Sequence, residues 1–206
     1  MDMTYIIEQL TALANRYAPD LDEEFIIKAV GISSLKTYAK GELMARAGDK
    51  TSAAGLVISG VVRSYYIDRD GNDITQFIAG PGSLCLDSGM FGFDEMTATW
   101  ESVSESTIMI FDVAKIKDLI FSDAGYMKFW TDMLESGMRY KIYRENGFLV
   151  ENATERYLHF KKNYPALVGL VPLKHLATYL GITPESLSRI RRTLKEQDDR
   201  PDITIC

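Results

Sequence analysis

The sequence predicts an α+β chain: helices at the start, a β sandwich or barrel, a long helix, and a helix-turn-helix near the C-terminal end. Three observations carry this. From about Ser33 to Asp112, short apolar or β-branched runs alternate with Gly- and Asp-rich turns every ~8–12 residues, the cadence of an all-β domain. On either side of that stretch, apolar residues recur at helical spacing. Between Val171 and Leu194, two helical stripes meet at a glycine.

In chain order, Ile6, Ile7, Leu10, Leu13, Ala14 and Tyr17 define a helix over 4–18, stopped by Pro19. A shorter helix is expected over Asp22–Val30, with acids in its first turn. The β stretch is punctuated by Gly41, Gly48-Asp49, Gly60, Asp70-Gly71 and Pro81-Gly82, and Asp68–Asn72 reads as a hairpin turn. Ser122 or Asp123 then opens a long helix reaching about Val150. Within it Trp130, Met133, Leu134, Gly137, Tyr140, Lys141 and Arg144 fall near a heptad seam. That seam reads either as packing inside one subunit or as a dimer contact. A further helix covers Ala153–Lys162, with Asn152 as its best N-cap.

Charge divides the chain. The net charge of −6 hides a balance of −9 over residues 1–140, +6 over 141–195 and −3 over 196–206. An acidic body ahead of one basic segment is what a separate nucleic-acid module produces. Other classes are disfavoured. Two cysteines, Cys85 and Cys206, cannot hold a four-cysteine iron–sulfur or zinc site. His159 and His175 read as surface or capping residues, so no metal and no cofactor is expected. There is no nucleophile elbow, P-loop or zinc-protease spacing, so an enzyme is not expected. No apolar run approaches the ~20 residues of a membrane span, and the first residues do not form a signal peptide, so the expected location is cytoplasmic.

The stretch from Val171 to Leu194 is the most informative. Leu173, Leu176, Ala177 and Leu180 make one apolar stripe, and Pro172 suits the helix start. Gly181 suits a left-handed turn. Thr183 is an N-cap, Pro184 the first helical residue and Glu185 a first-turn acid. Leu187, Ile190 and Leu194 would be buried, leaving Glu185, Ser186, Ser188, Arg189, Arg191 and Arg192 on the other faces. This is the layout of a recognition helix, whose N-terminal half meets base edges in the major groove. Arginine pairs bidentately with guanine, and glutamate accepts from cytosine N4.

With these residues in place, the chain resembles the Crp/Fnr family, the cyclic-AMP receptor protein and fumarate-nitrate regulators. Tyr38–Leu43, Arg46–Asp49, Leu56–Arg63 and Pro81–Ser83 look like that family's β-roll strands and turns. The resemblance implies a cyclic-nucleotide-binding-like β-roll (a jelly roll) with N-terminal helices over 1–122, a dimerisation helix over 123–150, and a helix-turn-helix domain over 151–206. It implies a homodimer on a near-palindromic double-stranded DNA site, with RNA polymerase as a further partner and no membrane. Base-reading positions fall at Pro184, Glu185 and Arg189, and phosphate positions at Thr183 and Ser186. Ser188 and Arg192 complete the expected DNA-binding set, and Trp130, Met133, Leu134, Gly137 and Tyr140 the expected dimer interface.

Three departures qualify the resemblance. Pro184 stands where many members carry arginine. The family's phosphate-gripping pairs fall on Leu86-Asp87 and Thr97-Ala98, and no Lys, Arg or His occurs from Gly71 to Ala114. A phosphate needs donors and positive charge, so cyclic AMP and cyclic GMP are not expected to bind. The effector pocket is expected at Leu84, Cys85, Leu86, Asp87, Thr97 and Thr99, with Cys85 as a redox thiol, a pocket wall or a plain buried residue. Trp100, Phe91 and Phe93 would line that pocket or fill the core. Finally, only KEQDDRPDITIC follows Leu194, in which a full wing hairpin barely fits and one short strand is conceivable at Ile203–Ile205. The alternatives are a regulator responding to a non-phosphate small molecule or a redox signal, and an interaction module that has lost DNA binding.

Overall fold

A computed structural model of the chain describes residues 3–198 except 20 and 22. Helices α1 (Met3–Tyr17) and α2 (Glu23–Gly31) precede eight strands. These are β1 (Ser33–Tyr38), β2 (Leu43–Ala45), β3 (Ala53–Ser59), β4 (Val62–Ile67), β5 (Asp73–Ala79), β6 (Leu84–Cys85), β7 (Thr99–Ser102) and β8 (Ser106–Asp112). They form two four-stranded sheets in the orders β1-β8-β3-β6 and β2-β7-β4-β5, with antiparallel neighbours throughout. The turn cadence anticipated a sandwich or barrel, and the resemblance a roll; the two facing sheets are that roll.

Local chemistry explains the corners. In the β4–β5 hairpin, Asp68 Oδ1 accepts from the backbone N–H of Asp70 at 2.9 Å and of Asn72 at 2.8 Å. A side chain that mimics a backbone turn acceptor is why Asp is favoured there. At the β3–β4 corner Gly60 has φ +84, and a Cβ would lie 2.3 Å from the Glu105 carbonyl oxygen. Both the left-handed backbone and the close approach exclude any larger residue.

After the roll come α3 (Val113–Phe121), α4 (Ala124–Val150), α5 (Ala153–Asn163), α6 (Leu173–Tyr179) and α7 (Pro184–Asp198). Helix α3 carries no expectation from the sequence reading. Its signal is Asp112, which ends β8 and accepts from the Lys115 N–H at 3.0 Å as an N-cap. Asp123 caps α4 through the Gly125 N–H at 2.7 Å. Asn152 and Glu155 form a reciprocal capping box on α5. The acidic tail, Cys206 and the strand conceivable at 203–205 lie outside the described residues.

Three cores result. The first joins α1, α2, α3 and the first half of α4 to one outer sheet face, with Phe25 tilted against Phe129 at 5.4 Å. The second fills the roll between the sheets, including Val57, Val62, Leu86, Met96, Trp100 and Ile108. The third joins α5, α6 and α7 to Val61, Ile78 and Val103 of the roll. The helix-turn-helix is therefore packed against the roll of its own chain. Helix α6 lies on β5, where the Thr178 hydroxyl donates to Thr75 Oγ1 at 2.9 Å and accepts from the Thr75 N–H at 3.2 Å.

Candidate nucleic-acid interface

Helix α6 presents Leu176 and Ala177, almost fully buried, to the third core. Pro172 is the residue before the helix rather than its first turn, and its carbonyl accepts from the Leu176 N–H at 3.1 Å. The chain turns at Leu180-Gly181. Gly181 has φ +70, the Ile182 N–H returns to the Ala177 carbonyl at 3.0 Å and the Gly181 N–H to the Thr178 carbonyl at 3.1 Å, closing the turn as a Schellman motif does. Thr183 caps α7 by accepting from the Ser186 N–H at 3.2 Å.

Helix α7 is amphipathic in the expected sense. Leu187 is fully buried, while Ile190 and Leu194 pack partly against the same core. Ser188, Arg189, Arg191 and Arg192 are exposed, as are Thr183 and Glu185, and Pro184 and Ser186 are half-buried. The Arg189 guanidinium donates to Ser186 Oγ at 3.3 Å, and the Thr183 hydroxyl lies 3.2 Å from that same oxygen. Arg192 makes only a loose 3.8 Å contact to Glu196 between two exposed side chains, worth little in water. The backbone N–H of Glu185, then the Thr183 hydroxyl, hold the Glu185 carboxyl below its ordinary range, so it is ionised at neutral pH. The head of α7 thus offers two hydroxyls, one ionised acceptor and a set of unburied guanidinium groups.

The six residues expected around an effector pocket divide. Leu86, at φ +54, and Cys85 are buried inside the roll. The Cys85 Sγ would be 2.7 Å from a Cβ on Gly55, and burial, with Asp87 adding, pushes the thiol well above its usual range. That is the environment of an inert thiol. Asp87 precedes a 3₁₀ turn over Ser88–Phe91, and burial raises its carboxyl. Leu84 is half-buried in β6 beside Leu56. Thr97 faces outward and pairs with Ser88 Oγ at 3.3 Å, while Thr99 Oγ1 accepts from the Ala47 N–H at 3.1 Å. Trp100 fills the roll, but Phe91 and Phe93 are about half exposed and do neither of the jobs expected of them.

The seam residues also divide. Trp130 is buried and stacks on Phe91 at 6.3 Å, Met133 packs on the first core, and the Tyr140 hydroxyl is 2.9 Å from that of Tyr179. All three are engaged within the chain. Leu134 and Gly137 lie on the open side of α4. That side also exposes Met127, Met138 (60%), Ile142 (51%) and Leu149 (75%), which with Leu134 are spaced by 7, 4, 4 and 7 residues. His159 is a surface residue, its Nδ1 2.9 Å from Glu151 Oε1. His175 instead is half-buried against the roll, and the sequence carried no sign of it because its neighbours come from β4, β5 and β7. Nothing local in the sequence singles out Arg63 either. It is buried in β4 and donates to Glu101, Thr75 and Asp73. Among the described residues no helix is long and apolar enough to cross a membrane, and no group of three His, Cys, Asp or Glu could hold a metal.

Residues 35–123 match the family described as the cyclic nucleotide-binding domain. No curated protein matches the chain. Among solved structures, FixK2 from Bradyrhizobium japonicum is similar with a TM-score of 0.69 at 20% identity, over 81% of this chain and 86% of that one. The c-di-GMP-responsive global regulator CLP from Xanthomonas campestris gives 0.68 at 16% identity, over 86% and 93%. The catabolite activator protein of Thermus thermophilus gives 0.55 at 21% identity, over 87% and 86%. Residues 35–123 thus match the cyclic nucleotide-binding domain family, and the chain that carries them has the fold of FixK2, CLP and the Thermus catabolite activator protein.

Proposed function

We propose that the chain is a non-catalytic, cytoplasmic transcription regulator that binds DNA as a homodimer, with α7 in the major groove. The carrying observation is the outward face of α7: Glu185, Ser188, Arg189 and Arg192 stand clear of a helix anchored by the buried Leu187. Thr183, Pro184 and Ser186 form its leading edge. Phosphate contacts would come from Thr183, Ser186 and nearby arginines, and base contacts from Glu185 and Arg189. Pro184 brings no donor, so one base position would be read by shape or not at all. Two α7 helices in a dimer would meet half-sites about 34 Å apart, hence a near-palindromic site, with RNA polymerase as the onward partner.

The test is binding of promoter fragments by fluorescence anisotropy at two salt concentrations. Wild type should prefer some fragments over random DNA. Arg189→Ala should cost about 1–3 kcal/mol and relax preference at one base pair. Equal affinity for every fragment would sink the regulator reading and leave an interaction module.

The dimer is supported by the open apolar stripe Met127, Leu134, Met138, Ile142 and Leu149, whose spacing is that of a helix-pair seam. Ile142→Glu should convert a dimer to a monomer in analytical ultracentrifugation; an unaltered dimer would place the contact elsewhere. The roll, by this reading, does not take cyclic nucleotides. Its Leu86-Asp87 and Thr97-Ala98 positions bring a carboxyl and a self-paired hydroxyl rather than a guanidinium. Calorimetry with cyclic AMP or cyclic GMP should show no saturable heat at micromolar concentration.

A further inference from the structure

A cleft of about 110 Å³ lies between the second half of α4 and the α5–α6 unit. Six aromatic side chains, from Tyr140, Tyr143, Phe148, Phe160, Tyr164 and Tyr179, make up much of its wall. Arg144 projects into it from α4. The guanidinium carbon sits 4.0 Å from the Tyr179 ring centre and 4.9 Å from that of Phe148. Rings therefore lie against this guanidinium, yet among the described residues no carboxylate pairs with Arg144 and no acceptor takes its N–H groups. The other charges of the cleft are committed. Arg156 donates to the carbonyls of Leu180 and Glu151, and Glu151 Oε1 lies 2.9 Å from His159 Nδ1. Tyr164 is pushed up to about 12, chiefly by burial, so its hydroxyl remains a proton donor at any physiological pH.

We infer that this cleft binds a compact aromatic carboxylate, with the carboxylate on the N–H groups of Arg144 and the ring against the tyrosine walls. A guanidinium steadied by ring contacts and left without an acceptor can offer two parallel N–H groups, the geometry that takes a carboxylate bidentately. The aromatic walls select a ring over a hydrated inorganic anion. The volume is well below the roughly 300 Å³ at which clefts for drug-sized ligands begin, which limits the occupant to about one ring and excludes a nucleotide.

The cleft touches the reading head directly. A Cβ on Gly181, in the helix-turn-helix turn, would meet Phe148 Cε1 at 2.7 Å, and Tyr179 ends α6. An occupant anchored to Arg144 on α4 and packed on Tyr179 ties the turn to the long helix. It therefore steadies α6 and the start of α7, whatever α7 binds.

Benzoate, with cyclohexanecarboxylate and inorganic phosphate for comparison, is titrated into the full chain by calorimetry, without DNA. Benzoate should bind once per chain and more tightly than either comparison anion. Arg144→Ala should weaken it by roughly ten- to a hundredfold, the loss of charge-assisted hydrogen bonds. Because that change also removes ring contacts, Asn163→Trp at the exposed end of α5 serves as a second variant. It should block binding while leaving the unfolding temperature unchanged. Benzoate should also slow hydrogen exchange at the amides of residues 176–187. No saturable benzoate heat, phosphate binding as tightly as benzoate, or full binding by both variants overturns the site; unchanged exchange at 176–187 overturns its link to the turn.

Discussion

Arg63 is 2% exposed and charged, and its balance comes from Asp73 and Glu101, each at 2.7 Å. Truncating one partner of such a group costs more than the group contributes, because the two carboxylates are left partly buried with only Lys174 near Asp73 among the described residues. Arg63→Ala should lower stability to denaturant by about 3–5 kcal/mol. His175 stands beside this cluster, and its Nδ1 is buried without a hydrogen-bond partner among the described residues. Burial, then the charge of Arg63, lowers its pKa, against the pull of Glu101 and Asp73. A lowered folded pKa means the unfolded chain takes the proton first. The stability from this group is therefore fully present above about pH 6.5, the unfolded value, and is lost as pH falls below it toward the folded pKa. Thermal unfolding between pH 7 and 5 should show this loss, and His175→Asn should flatten it.

At the scale of elements, the C-terminal unit depends on a few local devices. Asn152→Ala removes a capping box and should cost about 1 kcal/mol. Leu187→Ala empties the one wholly buried position of α7 among the described residues and should cost about 2–5 kcal/mol. Denaturant titration checks both. Such signals are readable along the chain because a cap, a left-handed glycine and an apolar stripe act within one or two turns. Asp123, Asn152, Gly181 and Leu187 all stand where their residue types predict. Helix α4 differs. Its 3.6-residue period shows that apolar residues share faces, but several faces of this helix are apolar. Trp130, Met133 and Tyr140 turn inward because Phe91, the first core and Tyr179 are there to meet them. Those partners lie far off in sequence, so the open stripe through Met138 and Ile142 emerged only once the chain was folded.

For the whole molecule, the arrangement of charge and the docking of α6 on β5 set the behaviour. Thr178 joins the roll to the helix-turn-helix, taking the Thr75 N–H and giving its own proton to Thr75 Oγ1. Lys174 adds a 3.3 Å contact to Asp73. Thr178→Val keeps the shape but strands the Thr75 N–H, and should cost about 1–3 kcal/mol in thermal or denaturant unfolding.

The β cadence, the caps and the basic segment around α7 follow from residue type and spacing alone, because turn chemistry, helix periodicity and summed charge are properties of neighbours along the chain. The buried Arg63 cluster, the raised thiol of Cys85, the choice of face on α4 and the cleft around Arg144 follow only from tertiary structure. Each is a matter of desolvation or of contact between residues distant in sequence. Arg144 shows the difference: in sequence it is one more cation near a heptad seam, and in the fold it lies against the rings of Phe148 and Tyr179.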